Sequence, residues 1–213
     1  MITIFYTPLD NYVNPIEALV NCTGLRSRCR MVATNPYQEW QKLAPHTPIT
    51  TVPTGLDEDG TPYFGGPILY EFLDGLHDKP KLFPPGPDLI FLRRQLWLAD
   101  GMFDQFARVF GESMQPPENR RPHLIARQWK KTLSGFDVLD QDAKGWTRGL
   151  DIAQLRAVCT IIWIETRMPE IGAQLHPFGI KPDFDWREGR PTLAAWYARW
   201  RPNPIFSKIE ADQ

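Results

Sequence analysis

The chain has 213 residues, of which 42% are hydrophobic and 23% are charged, with a formal net charge of −1 at pH 7. This composition is that of a globular protein with one large or two small domains, and it excludes a disordered or fibrous chain. Positive and negative charges are interspersed, which leaves no electrostatic footprint for nucleic acid or an anionic membrane, so we expect neither as a partner.

The targeting and thiol signals of the sequence favour a cytoplasmic location. The first ten residues, MITIFYTPLD, lack the basic and long apolar regions of a secretory signal. The most apolar stretch, 152–168, is interrupted by charges and predicts a buried core helix, not a membrane span. The four histidines have no metal-ligand spacing, so we expect no metal. The three cysteines form no CxxC pair, which argues against a disulfide scaffold or a dithiol reductase: Cys22, Cys29 and Cys159.

The first elements in chain order are a strand and a helix. Residues 2–6 alternate in a β-rich run and predict a strand. Asn14 then suits a helix N-cap, followed by Pro15 at the first helical position and Glu17 at the capping-box position. Gly24 stands where a left-handed C-terminal residue belongs.

The next segment predicts a second strand, a hairpin and another helix. Residues 27–33 can form the second strand, and the Asp-Gly turn in 57–60 joins two further short strands. Pro67 then suits the first position of a helix whose apolar residues share one face. The predicted order is therefore βαβ followed by ββα.

A proline-rich segment divides the chain. Residues 79–87 (KPKLFPPGP) cannot continue a helix and are typical of a linker. We therefore predict an α/β domain at 1–78, a linker at 79–88 and an all-helical domain at 89–213. Four apolar stripes at helical spacing follow the linker, at 92–110, 124–139, 152–168 and 193–200.

The sequence Thr51-Val52-Pro53 stands just before the third predicted strand. A proline that enters a strand after an apolar residue is a candidate for a cis peptide bond, and an ordinary trans bond is equally compatible with the spacing. In the cis case the Val52 N–H and C=O would face outward, available to an extended peptide ligand.

These features together resemble the soluble glutathione transferases, in particular bacterial members. The resemblance covers nearly the whole chain and includes Tyr70-Glu71-Phe72-Leu73 in the third helix and Asp185-Trp186-Arg187 near the end. It implies a thioredoxin-like first domain that binds glutathione through Thr51, Val52 and Pro53. It also implies a helical second domain that supplies the pocket for a small hydrophobic electrophile, and a homodimer.

Two glycines depart from the family pattern at the start of the third helix. The family usually has an acid followed by serine there, which bind the γ-glutamyl carboxylate, whereas this chain has Gly65 and Gly66. The helix amides remain and can hold a carboxylate. Loss of one charge-assisted hydrogen bond corresponds to about 10- to 150-fold in affinity. We expect weakened glutathione binding, and we expect Gly66→Ser to tighten it.

The residue that activates the glutathione thiol is left open by the sequence. A hydrogen-bond donor near the sulfur favours the thiolate. The resemblance places Tyr6 on the family's tyrosine position and Tyr12 on the bacterial Cys/Asn position, next to Asn11. We select Tyr12, with Tyr6 and Asn11 as alternatives. Asn14 is better explained as the N-cap.

The long fourth helix carries the other candidate residues. In the family an acid such as Asp100 can reach the γ-glutamyl amine, sometimes across the dimer, although a solvated carboxylate is the simpler interpretation. Met102, Phe103, Phe106 and Phe110 could line the electrophile pocket or form an ordinary core stripe.

The sequence therefore predicts a glutathione transferase that directs the glutathione thiol to a small apolar electrophile, as in detoxification. A glutathione-dependent peroxidase or disulfide reductase is an alternative. A non-catalytic binding module with the same fold is another, and the Gly65-Gly66 pair favours it. The sequence does not identify the electrophile.

Overall fold

The computed structural model describes residues 1–8, 14–147, 149–181 and 183–209. The chain divides into two units. The first contains residues 1–89 together with the C-terminal segment that starts at Asn203, and the second contains residues 90–202.

A four-stranded mixed sheet forms the centre of the first unit, with the strand order β2-β1-β3-β4. Its strands are β1 (Ile2–Tyr6), β2 (Cys29–Ala33), β3 (Thr54–Leu56) and β4 (Pro62–Phe64). β1 runs parallel to β2, with Ile4 opposite Met31. β1 also runs antiparallel to β3, with Phe5 opposite Thr54, and β3 pairs antiparallel with β4. This topology confirms the predicted βαβ–ββα order.

Helix α1 (Pro15–Thr23) follows the local rules that predicted it. The Asn14 side chain accepts from the Ile16 N–H at 3.0 Å, and the Glu17 carboxylate accepts from the Asn14 N–H at 2.7 Å. The helix ends at Gly24, whose φ of 76° is left-handed. The predicted N-cap role of Asn14 is therefore confirmed.

Helices α2 (Trp40–Leu43) and α3 (Gly66–Asp74) complete the first unit. Two boundaries differ from the sequence prediction. Residues 26–28 form a 3-10 turn, so the second strand begins at Cys29 and not at residue 27. Helix α3 begins one residue earlier than expected, which makes Pro67 its second residue.

The proline-rich linker is held by a buried carboxylate at the end of α3. Asp74 is 4% exposed and accepts from the backbone N–H groups of Leu82, at 2.8 Å, and Phe83, at 3.1 Å. Its Oδ1 also lies 3.0 Å from Nε2 of His77. The acid therefore fixes the path of a segment that forms no regular structure of its own.

The C-terminal segment packs on α1. Its Phe206 and Ile209 side chains are 7% and 9% exposed. The Ile209 N–H donates to Glu17 at 2.9 Å, and the Asn21 amide donates to two carbonyls of the segment at 2.9 and 3.0 Å. The sequence analysis assigned residues from 203 onward to the helical domain, whereas these contacts lie in the first unit.

The second unit contains the long helices expected from the apolar stripes, namely α4 (Leu89–Ser113), α5 (Pro122–Ala143), α6 (Ile152–Leu175) and α7 (Pro191–Trp200). The side chains of α6 are buried almost continuously from Ile152 to Ile164. Helix α4 approaches α5 closely at Gly135, where a Cβ atom would lie 2.2 Å from Cγ of Met102. These features confirm an α/β part followed by an all-helical part.

Candidate functional site

The turn before β3 presents a free main-chain edge. The Val52–Pro53 peptide bond is cis. Thr51, Val52 and Pro53 are each partly exposed. Within the described part of the chain the Val52 N–H has no hydrogen-bond partner, and the Val52 carbonyl accepts only a long bond, 3.4 Å, from the Thr51 hydroxyl. Both main-chain groups can therefore pair with an extended ligand, as in β-strand addition.

The start of α3 lies directly beside this turn. The Gly65 N–H donates to the Pro53 carbonyl at 3.1 Å. No side chain caps the helix, and the N–H groups of Gly66 and Ile68 have no partner among the described residues. Amides at a helix N-terminus, with the positive end of its dipole, form a site for a carboxylate or phosphate. The predicted residues Thr51, Val52, Pro53, Gly65 and Gly66 are thus brought together.

The loop between β1 and α1 starts next to the same turn. Phe5 pairs with Thr54, which places the end of β1 beside the start of β3. The Asn14 amide donates to the Thr7 carbonyl at 3.3 Å, which draws the two ends of the loop together. Tyr12 and Asn11, two candidates for thiol activation, belong to residues 9–13 and lie outside the described residues.

Tyr6, the third candidate for thiol activation, occupies a structural position. Its side chain is 0% exposed, and its hydroxyl donates to the Ile209 carbonyl at 3.3 Å. The C-terminal segment therefore contacts the Tyr6 hydroxyl, which lies in the interior of the first unit. The sequence prediction did not anticipate this, since Tyr6 and Ile209 are 203 positions apart.

An aromatic cluster surrounds Trp163 in the helical unit. Its ring centroid lies 4.3 Å from that of Phe103, 5.1 Å from that of Phe106 and 6.2 Å from that of Phe110. Phe106 is 0% exposed and Met102 is 2% exposed, so both belong mainly to the core, and Met102 also borders a cavity with Trp97 and Gly135. Of the two alternatives that the sequence left open, the core stripe is the one that the burial of Phe106 favours.

Phe103 and Phe110 remain candidates for a ligand surface because both are partly exposed beside Trp163. The sequence analysis did not single out Trp163 or the two cations that lie over these rings. The Arg156 guanidinium lies 4.5 Å from the Phe103 centroid, and that of Arg167 lies 5.3 Å from the Phe110 centroid. The sequence signal for this cluster was the helical spacing of the aromatic residues on α4 and of the aromatic and basic residues on α6.

Asp100 forms an ion pair within the helical unit. Its carboxylate accepts from Arg156 Nε, whose side chain is 7% exposed. Burial, together with the Asp100 charge, raises the pKa of Asp104. Because the Asp100 charge is already balanced by a buried cation, the role on a ligand amine suggested by the resemblance is disfavoured.

The cysteines carry no sign of thiol chemistry. None of the three forms a disulfide bond, and Cys29 and Cys159 are buried. Burial raises the pKa of the Cys29 thiol to about 11, which leaves almost no thiolate at neutral pH.

The described residues contain no group of three or more His, Cys, Asp or Glu side chains able to hold a metal ion. No helix among them is both long and apolar enough to span a bilayer.

Comparison with known proteins relates the chain to one family. Residues 122–199 match the family model of the glutathione S-transferase C-terminal domain. An uncharacterised GST-like protein, YibF of Escherichia coli K12, is 25% identical over 136 residues, which are 62% of this chain and 67% of that protein.

Solved structures share the fold over almost the full length. A glutathione transferase family member from Pseudomonas fluorescens Pf-5, with bound glutathione, is 24% identical, with a TM-score of 0.82 and 96% of both chains covered. A glutathione S-transferase from Methylobacillus flagellatus KT, with glutathione bound, is 22% identical, with a TM-score of 0.78 and 97% of both chains covered. The chain therefore has the fold of these glutathione transferases, and its residues 122–199 match the C-terminal domain of that family.

Proposed function

We propose that this protein binds glutathione and activates its thiol for attack on a small apolar electrophile, a glutathione transferase reaction. The observation that supports the proposal most is the similarity in fold to the Pseudomonas and Methylobacillus structures, which contain glutathione. The N–H groups of Val52, Gly66 and Ile68, which have no partner among the described residues, supply donors that a peptide with a terminal carboxylate needs.

In the proposed binding mode, glutathione lies along the turn before β3. The Val52 N–H and C=O pair with the cysteinyl backbone. The Gly66 and Ile68 amides receive the γ-glutamyl carboxylate, and the Gly65–Pro53 hydrogen bond fixes the spacing between the two contacts. We expect the affinity to be lower than in relatives that add an acid and a serine at this position.

Thiol activation is assigned to Tyr12, with Asn11 as the alternative. The glutathione thiol has an ordinary pKa, so a donor to the sulfur favours the thiolate while the proton leaves to solvent. We expect Tyr12→Phe to lower kcat about 10- to 1000-fold with little change in glutathione affinity, because one donor to a developing anion is worth about 1.4–4 kcal/mol. Single-turnover kinetics with an aryl chloride would measure this.

Tyr6→Phe is the matched control for this experiment. Its hydroxyl holds the Ile209 carbonyl, so its loss should lower the free energy of unfolding by about 0.5–1.5 kcal/mol and leave kcat unchanged. If Tyr12→Phe turns over at the wild-type rate and Asn11→Ala does not, Asn11 is the donor. If Tyr6→Phe loses activity while remaining folded, the structural interpretation of Tyr6 is wrong.

The electrophile is proposed to be a small apolar molecule that contacts Phe103 and Phe110. Both rings are partly exposed and supported by Trp163, which gives them a fixed orientation. Phe110→Ala should therefore raise KM for an apolar aryl electrophile and leave the glutathione affinity unchanged. An equal loss of both affinities would argue against a separate electrophile surface.

We further propose a cytoplasmic homodimer with a role in detoxification. Large apolar side chains on α4 support self-association, since Ile90 and Trp97 are each 74% exposed and Phe91 is 50% exposed. Light scattering should give about 49 kDa, twice the 24.6 kDa of one chain, and Trp97→Glu should lower it. A wild-type mass near 25 kDa would contradict the dimer.

The rival interpretation is a binding module without turnover, which the Gly65-Gly66 pair favours. Glutathione binding without conjugation of any aryl halide, peroxide reduction or disulfide reduction would support that interpretation. Peroxide or disulfide reduction without conjugation would instead support a glutathione-dependent reductase.

A further inference from the structure

The two ends of the loop between β1 and α1 are tied to each other. Thr7, at the start of the loop, donates its hydroxyl to the Thr34 carbonyl at 2.9 Å. Asn14, at the end of the loop, donates its side-chain amide to the Thr7 carbonyl at 3.3 Å. Tyr12, the proposed thiol donor, stands between these two residues in the sequence. The placement of the loop ends therefore depends on what holds Asn14.

A buried carboxylate holds Asn14. Glu17 is 0% exposed, and its Oε2 accepts from the Asn14 N–H at 2.7 Å. In return, the Asn14 side chain accepts from the Ile16 N–H at 3.0 Å, which caps the helix. A capping box needs only one oxygen of the glutamate. The role of the second oxygen must therefore be sought elsewhere in the first unit.

The second oxygen of Glu17 is bonded to the C-terminal segment. This oxygen, Oε1, accepts from the Ile209 N–H at 2.9 Å, although the two residues are 192 positions apart. The segment is itself fixed to α1, because the Asn21 amide donates to two of its carbonyls at 2.9 and 3.0 Å. A buried network with satisfied partners is rigid. The carboxylate therefore keeps the orientation that directs its other oxygen to Asn14.

We propose that Glu17 is a positioning residue for thiol activation, because it links the C-terminal segment to the end of the loop that carries the thiol donor. This inference rests on the proposed function. The Glu17 carboxylate is already engaged by two main-chain N–H groups, so it acts through Asn14 and not on the reacting atoms. A displacement of about 1 Å in a catalytic group can lower the rate about 100-fold, so a residue of this kind can control turnover.

The proposal predicts a loss of turnover without a loss of binding. Glu17→Ala should lower kcat about 10- to 100-fold, because the thiol donor loses its fixed placement. The Kd for glutathione should change less than about threefold, since the proposed contacts at Val52 and at the start of α3 do not involve the loop. Stopped-flow conjugation of an aryl chloride and calorimetric titration would measure the two effects.

The pH profile separates positioning from ordinary destabilisation. A well-placed donor stabilises the thiolate and so lowers the pKa of the bound glutathione thiol. Displacement of the donor should raise the pH midpoint at which kcat increases, by about one pH unit for each tenfold loss in thiolate stabilisation. A role of Glu17 in stability alone would change the fraction of folded protein and leave this midpoint unchanged.

Two further variants make the test independent of the folding of Glu17→Ala. Glu17→Gln keeps the length of the side chain and one acceptor oxygen, so it should fold and lose less turnover than the alanine variant. Asn21→Ala is the matched control, because it removes two hydrogen bonds between the same helix and the same C-terminal segment but leaves the loop ends untouched. It should lower the urea midpoint of unfolding and leave kcat and the pH profile unchanged.

The outcomes separate this inference from the proposed function. Wild-type kcat and pH midpoint in folded Glu17→Ala, or in Glu17→Gln if the alanine variant does not fold, would overturn the positioning role and leave the transferase proposal intact. An equal loss of kcat in Asn21→Ala would also overturn it, because general loosening of the segment would then be the cause. A folded wild-type protein that does not bind glutathione, or binds it without turnover, would overturn the proposed function and the inference with it.

Discussion

Glu17 links two parts of the first unit, and its removal gives the sharpest test of how that unit is held together. The side chain is 0% exposed. One carboxylate oxygen accepts from the Asn14 N–H at 2.7 Å and the other from the Ile209 N–H at 2.9 Å. Glu17→Ala therefore leaves two backbone donors in a buried site without an acceptor.

The expected cost follows from those two donors. Each unsatisfied buried donor costs about 1–3 kcal/mol, and relief of the buried carboxylate offsets part of the sum. We expect Glu17→Ala to lower the free energy of unfolding by about 2–4 kcal/mol. Urea denaturation followed by circular dichroism would measure it, and amide hydrogen exchange at Ile209 should accelerate. The control, exposed Glu118→Ala, should change stability by less than about 0.5 kcal/mol.

The pH dependence of stability gives an independent check on Glu17. Burial raises the pKa of its carboxyl above the ordinary value of 4.5, although the hydrogen bonds from Ile209 and Asn14 partly oppose this. The native state thus holds the proton at pH values where the unfolded chain has lost it. The contribution of Glu17 to stability should fall as pH rises from about 4.5 through the native pKa.

Glu17→Gln removes this titration. The free energy of unfolding of the wild type minus that of Glu17→Gln should therefore decrease over the same pH range and then stay constant. A difference that grows between pH 4.5 and 7 would mean that the native pKa is lowered, and that the hydrogen bonds outweigh burial. A cost of Glu17→Ala below about 0.5 kcal/mol, the range of ordinary surface changes, would refute the structural role of Glu17 altogether.

Two further substitutions test the packing of each unit. Asp74→Ala leaves two linker N–H groups and an imidazole without their buried acceptor and should cost about 3–5 kcal/mol in urea denaturation; a cost below about 1 kcal/mol would show that the linker is held by other contacts. Gly135→Ala places a Cβ atom 2.2 Å from Met102 Cγ and should cost about 1–3 kcal/mol, whereas Gly111→Ala, with open space around it, should be neutral or stabilising. Equal effects of the two glycine changes on thermal unfolding would contradict the close approach of α4 and α5.

The features that the sequence predicted correctly are those that depend on nearby residues. The capping box of Asn14 and Glu17 and the left-handed Gly24 all depend on residues within one or two helical turns. The order of strands and helices follows from apolar periodicity and from proline and glycine positions in the same way. These rules act locally, so one sequence was sufficient to apply them.

Most of the features that the sequence did not predict require two distant residues to meet. The Tyr6 hydroxyl contacts a segment that begins almost 200 residues later, and the Asp100–Arg156 ion pair joins two different helices. The close approach of the Tyr70 hydroxyl to Gly66, where a Cβ atom would lie 3.0 Å from it, involves residues close in sequence but depends on where the tyrosine ring points, which periodicity does not fix. The surroundings of these residues thus depend on side-chain direction and long-range packing.

The direct test of the central claim is a calorimetric titration of the wild-type protein with glutathione, with Cys-Gly as the control that lacks the γ-glutamyl group. The account predicts saturable binding of glutathione with a Kd of about 1 mM or tighter, equivalent to about −4 kcal/mol, and markedly weaker binding of Cys-Gly. Folded protein that gives no binding heat with millimolar glutathione, or that binds Cys-Gly equally well, would contradict it.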